Sequence, residues 1–141
     1  MALVVGTNCG FCATAPSADP TVSGASTNDF KNALKGTSPG TAVKITEIGW
    51  YCSNATQETN FEVGIYTHNV GLDRPDAVVG SLSQTNAKGT TAGWKSVAVD
   101  ITISSSTIYW IAVQVDATAT TTNIDFEAVA GRYSRQGSRT T

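Results

Sequence analysis

Apolar residues recur along most of this chain with a period of two, the spacing of a strand that buries one face. The longest instance is Gly93–Val115. Val97, Val99, Ile101 and Ile103 share one parity there, against Ser96, Asp100 and Thr102 on the other. After Ser104–Thr107 the run Ile108–Val115 is apolar on both parities except for Gln114, as expected of a strand covered on both sides. The two arms read as a central hairpin. Residues 60–68 alternate cleanly, with Phe61, Val63 and Ile65 predicted inward and Glu62, Tyr66 and His68 outward. Along 42–52 the phase slips: Val43 and Ile45 share one parity, and Ile48, Trp50 and Cys52 the other. That slip predicts a β-bulge at Thr46–Glu47. Residues 28–36 fit either a capped helical turn or a strand, and the β-rich surroundings favour a strand. Shorter strands are expected at Ala2–Val5, Ala77–Leu82 and Ile124–Ala130, with polar loops at 53–59, 69–76, 84–92 and 116–123.

Seven or eight strands separated by such turns, with no convincing helix, predict an all-β fold. The expected architecture is an antiparallel β-sandwich of jelly-roll-like topology. The chain divides into an N-terminal strand and extended arm over 1–28, a sandwich over 29–131 and a polar, basic tail over 132–141. Pro16 and Pro20 prevent regular pairing within the arm.

Composition narrows the partners. Only 14% of the 141 residues are charged, against roughly 25% in ordinary globular proteins. Residues 1–131 carry six basic and eleven acidic side chains, a net charge of −5, while the last ten residues add three arginines. A mildly acidic body lacks the basic stripe that displaces counterions from nucleic acid. No run approaches the roughly 18 apolar residues of a membrane span. The start, MALVVGTNCG, has neither the basic leader nor the apolar length of a signal peptide.

Three cysteines, Cys9, Cys12 and Cys52, are an odd number. The CxxC spacing of Cys9 and Cys12 permits a zinc site with Cys52 and His68, or a disulfide from Cys52 to one of the pair. Free thiols in a reducing compartment are the third reading. Catalysis fails on inventory. His68 is the single imidazole, no G-x-S-x-G elbow is present, and the nearest carboxylate pairs, Glu58 with Glu62 and Asp73 with Asp76, sit where solvated acids belong. No cofactor is expected beyond a possible structural calcium, whose loop or near-loop ligands would be Asp73, Asp76, Asp116 and Asp125.

Five motifs recur in a familiar order: Ile48-Gly-Trp-Tyr, Val63-Gly-Ile-Tyr66, Pro75 with Gly80-Ser, Gly93-Trp-Lys-Ser-Val, and Tyr109-Trp-Ile-Ala-Val-Gln114. Over roughly residues 42–115 the chain resembles β-sandwich modules of phage and metagenomic virion-associated proteins, and of bacterial carbohydrate-binding-like secreted proteins. The resemblance rests on strand and turn residues, so it implies fold and context and carries over no functional residue. The leaderless start favours the phage branch. The resemblance also implies one more strand beyond Thr141, so the chain is cut short or completes its sheet with a partner.

Two functions follow as expectations. One is a non-catalytic structural module of a virion or other surface assembly, a homo-oligomer or a complex with other structural proteins. In it Ala2, Leu3, Val4 and Val5 lie along a neighbour's sheet edge. The alternative is a carbohydrate-binding module. Trp94 opposes Val97 and Val99 in parity, and Tyr66 opposes Val63 and Ile65, so both rings can be offered for stacking on glycans; the other reading makes Trp94, Trp50 and Trp110 sandwich core and sets Tyr66 over a sheet edge.

Overall fold

The computed structural model describes residues 11, 25–26, 31–55, 61–85, 93–115, 122–125 and 133–136. Among them the chain is all-β, with antiparallel pairing throughout and no helix. The strands are β1 (Ala25–Ser26), β2 (Lys31–Thr37), β3 (Val43–Ala55), β4 (Phe61–Asn69), β5 (Arg74–Thr85), β6 (Gly93–Ile103), β7 (Ile108–Val115), β8 (Thr122–Asp125) and β9 (Tyr133–Gln136). They form a four-stranded sheet in the order β1-β8-β3-β6 and a five-stranded sheet in the order β5-β4-β7-β2-β9.

The two sheets fit a β-sandwich, because their inward residues share one core. Ile48, Trp50, Val97, Ile101 and Ile103 enter it from the first sheet, and Val63, Ile65, Tyr109 and Val113 from the second. Phe11 packs against this core and meets the Tyr109 ring edge to face, with centroids 6.4 Å apart.

Alternation governs β4 and β6 as the sequence implies. Val63 and Ile65 are fully buried and Tyr66 lies on the opposite face of β4. The phase slip in β3 is present: between Ile45/Ile101 and Glu47/Ala98, β6 advances three residues while β3 advances two. Thr46 and Glu47 both face solvent, and the buried parity passes from Val43 and Ile45 to Ile48 and Trp50, but the additional residue of the irregularity lies on β6 and not at Thr46–Glu47. The ambiguous segment at 28–36 contributes strand β2, paired with β7 from Lys31 to Thr37.

Gly93–Val115 is not a hairpin. β6 pairs with β3 in one sheet, whereas β7 lies between β4 and β2 in the other. Strand β7 lies in the centre of the five-stranded sheet, with Tyr109 and Val113 in the shared core on one face and Trp110 buried on the other. Ser104–Thr107 is therefore a corner between sheets, and the β2–β3 connection makes the same crossing beside it. Backbone bonds from Ser38 N to Thr107 O (2.9 Å) and from Ser106 N to Pro39 O (2.8 Å) join the two crossings. The buried Ser38 hydroxyl donates to Ser104 O (2.6 Å) and accepts from Thr107 N (2.9 Å). Ser104 N in turn donates to the Tyr109 hydroxyl at 3.1 Å.

At both ends the chain adds strands where the sequence suggests an arm and a tail. Ala25–Ser26 pairs with β8, and Tyr133–Gln136 pairs with β2 from Lys31 to Leu34. Strand β8 begins at Thr122 and β5 at Arg74, both inside segments expected as loops. Ala2–Val5 lies outside the described residues.

Candidate functional site

The outer face of the five-stranded sheet carries a connected polar cluster. Its axis is Trp110, which shares the outward parity of β7 yet is only 1% exposed. Cross-strand register sets Tyr66 of β4 on one side of it and Lys35 of β2 on the other. His68, one outward step along β4, accepts the indole N–H of Trp110 at Nδ1 (3.2 Å), and the two rings lie 6.2 Å apart. The Lys35 ammonium sits 5.6 Å from the Trp110 ring centroid, within cation–π range. It also binds Asp73 Oδ1 at 2.6 Å, and His68 Nε2 lies 3.8 Å from the same oxygen.

This geometry assigns a tautomer. Nδ1 of a neutral His68 is an acceptor toward Trp110, so its proton resides on Nε2, facing Asp73. The hydrogen bond from Lys35 is the main cause that holds the Asp73 carboxyl below the usual range, with the charges of Lys35 and His68 contributing further. Burial, and secondarily the Glu62 carboxylate, push the Tyr66 phenol above its ordinary value. Trp110, His68, Lys35 and Asp73 thus engage one another in a single cluster.

The cluster holds a hairpin tip in place. Between β4 and β5 the chain turns through Val70, Gly71 and Leu72, with Leu72 N donating to Asn69 Oδ1 (3.0 Å) and Asp73 in the left-handed region (φ 47°). Asp73 is then fastened to β2 through Lys35. Below the tip, where the β4–β5 register breaks, the Thr67 hydroxyl accepts from Ala77 N (3.0 Å) and donates to Ala77 O (3.3 Å). The tip presents two large apolar side chains to solvent, Val70 at 84% and Leu72 at 60% exposed.

The sequence-derived aromatic pair is divided between sheets. Trp94 does face outward, but on the four-stranded sheet, and its partner is Tyr51 opposite it on β3. Their rings meet edge to face at 5.6 Å and 79°. Tyr66 belongs to the Trp110 cluster on the other sheet. Trp50 is core, whereas Trp110 is buried on the outer face. His68, expected as an exposed residue, has a side chain only 11% accessible because Trp110 and Asp73 enclose it.

Of the calcium candidates, the described ones are divided between the two sheets. Asp73 is bound by Lys35 and Asp76 lies on β5 of the same sheet, while Asp125 sits on β8 of the other sheet, in register with Tyr51. Asp116 lies outside the described residues, and among those described no three His, Cys, Asp or Glu residues form a group suited to a metal ion. Cys52 is on β3, in register with Gly93 and Ile124, on the sheet opposite His68. Cys9 and Cys12 lie outside the described residues.

The missed signal was the cross-strand row Tyr66–Trp110–Lys35, which becomes visible only once β4 and β2 are known to flank β7. Among the described residues no helix is long and apolar enough to cross a membrane. Comparison of the chain with family models, with curated proteins and with solved structures returns no match.

Proposed function

We propose that this chain is a non-catalytic structural module of a surface assembly, of the virion-associated kind its motifs resemble. The carrying observation is the β4–β5 tip, where Val70 and Leu72 are held out to solvent by Asn69, Asp73 and Lys35. Exposing two aliphatic side chains forgoes about 1.5–3 kcal/mol for each one that could be buried. A rigid tip recovers that free energy in a neighbour's apolar recess without first paying to order a loop. Commitment of the sole imidazole to Trp110 and Asp73 supports the non-catalytic reading. The two crossings joined at Ser38 and Thr107 support a jelly-roll-like winding, in which paired strands pass together from one sheet to the other. In this reading Ala2–Val5 adds to a sheet edge of an adjacent subunit.

Sedimentation velocity and electron microscopy of the purified chain test the proposal. Concentration-dependent association is expected, lost in V70D/L72D and weakened by deletion of residues 1–20. A strict monomer at every concentration, alone or with the proteins encoded beside it, sinks the reading.

A further inference from the structure

We infer that the outer face of the four-stranded sheet is a binding lane for a short neutral oligosaccharide, with Tyr51 and Trp94 as its aromatic end. The inference concerns a different face from the Val70–Leu72 tip and does not depend on it.

Three consecutive outward rows pair β3 with β6: Tyr51 with Trp94, Gly49 with Ser96, and Glu47 with Ala98. The two rings stand nearly at right angles, 79° apart, and each is half-buried, so one corner of aromatic surface closes the lane. Next to it Gly49 contributes no side chain. A Cβ there would lie 3.2 Å from Lys95 O, tighter than ordinary contact, so the backbone itself favours a bare floor. Ser96 and Ala98 continue that floor, and the exposed Glu47 carboxylate stands at the third row. From the first row to the third is about 13 Å along the strands. Beyond it the Lys44–Asp100 ion pair, at 2.9 Å, bounds the lane with neutralised charge.

This chemistry selects its ligand. An aromatic corner binds flat apolar faces, and a sugar ring with equatorial hydroxyls offers a C–H face toward the ring and hydroxyls toward its rim. The Ser96 hydroxyl and the Glu47 carboxylate supply an acceptor on each row where those hydroxyls fall. A polyanionic sugar is disfavoured by Glu47, so the class is a neutral sugar chain with equatorial hydroxyls, such as one of gluco configuration.

The full chain is titrated with cellotriose and chitotriose while the Trp94 indole N–H resonance is followed by NMR, beside an array of neutral oligosaccharides. Saturable shifts at Trp94 are expected, with affinity reduced roughly tenfold or more in W94A, the scale of one lost stacking contact. A98W, which fills the floor from an exposed position, abolishes binding without lowering the unfolding temperature. W94F retains most of the affinity, and V70D on the other sheet leaves it unchanged. The inference is overturned if no neutral oligosaccharide at millimolar concentration moves the Trp94 resonance. It is equally overturned if both W94A and A98W bind as the unmodified protein does.

Discussion

Trp110 donates its indole N–H to Nδ1 of His68, and this bond lies on the solvent-facing side of its sheet, away from the shared core. A tryptophan at 1% exposure in such a place needs both a partner for its N–H and a cover for its ring. His68 supplies the first, and His68 with Lys35 supplies much of the second. Replacing His68 with Phe keeps a flat ring but removes the acceptor, leaving a buried donor unsatisfied. The expected cost is about 1–3 kcal/mol in urea unfolding. Double substitution with W110F should recover part of it, since the orphaned donor is then gone. Additive losses in that cycle would show that the bond contributes nothing.

The same bond predicts the protonation pattern of the only histidine in the chain. Long-range ¹⁵N–¹H spectra should show neutral His68 protonated at Nε2, with Nδ1 at the shift of an unprotonated acceptor. A neutral form protonated at Nδ1 contradicts the arrangement outright.

Asp73 gives a pH dependence whose sign is fixed. Its carboxyl is held below its ordinary value, chiefly by Lys35, so the folded state binds the proton less tightly than the unfolded chain does. The stabilisation is therefore fully present above the unfolded value of about 3.9 and is lost as pH falls through the lower folded value. D73N tolerates the same left-handed backbone and removes only the charge. It should be less stable than the parent at pH 6, and the difference should shrink toward zero in acid. Because Asp73 is half exposed, added salt should narrow the gap at pH 6 as well.

How much of this was legible depends on the range of the interaction. Local alternation gives the buried parity of Val63, Ile65, Val97 and Ile101, and even the phase slip at Thr46–Glu47, because each follows from neighbours one or two residues away. Pairing partners are not local. Ser104–Thr107 has the residues of a hairpin turn, and only the contact with Ser38, 69 residues from Thr107, makes it a corner. Trp94 is read correctly as outward, but its neighbour Tyr51 is set by register across β3 and β6. The Trp110 cluster joins residues 42 apart in sequence at His68 and 38 apart at Lys35–Asp73. Parity therefore identifies faces, whereas register identifies sites.

Ser38 is the residue on which the two crossings depend. Its hydroxyl donates to Ser104 O and accepts from Thr107 N, and the side chain is buried. S38A strands one donor and one acceptor at once, with an expected loss of roughly 1–3 kcal/mol. S38T keeps both bonds but adds a methyl group in a closed space, and should fall between. Amide exchange at Thr107 should quicken in S38A more than exchange at Val113 in the middle of β7. Equal acceleration at both would mean that the corner unfolds only with the whole sheet.

Gly80 tests the opposite side of the sandwich, where β5 approaches β6. Its φ of +72° is left-handed, and a Cβ built there would sit 3.5 Å from Ile101 Cγ1 and 3.6 Å from Cγ2. Those distances are ordinary van der Waals contact, so G80A is opposed by backbone strain and not by a clash. The expected destabilisation is about 1–2 kcal/mol. G80N, which tolerates the left-handed region better, should cost less backbone strain despite its larger side chain. If G80N proves worse than G80A, room beside Ile101 governs the site, and the two sheets pack more tightly there than the Cβ distances imply.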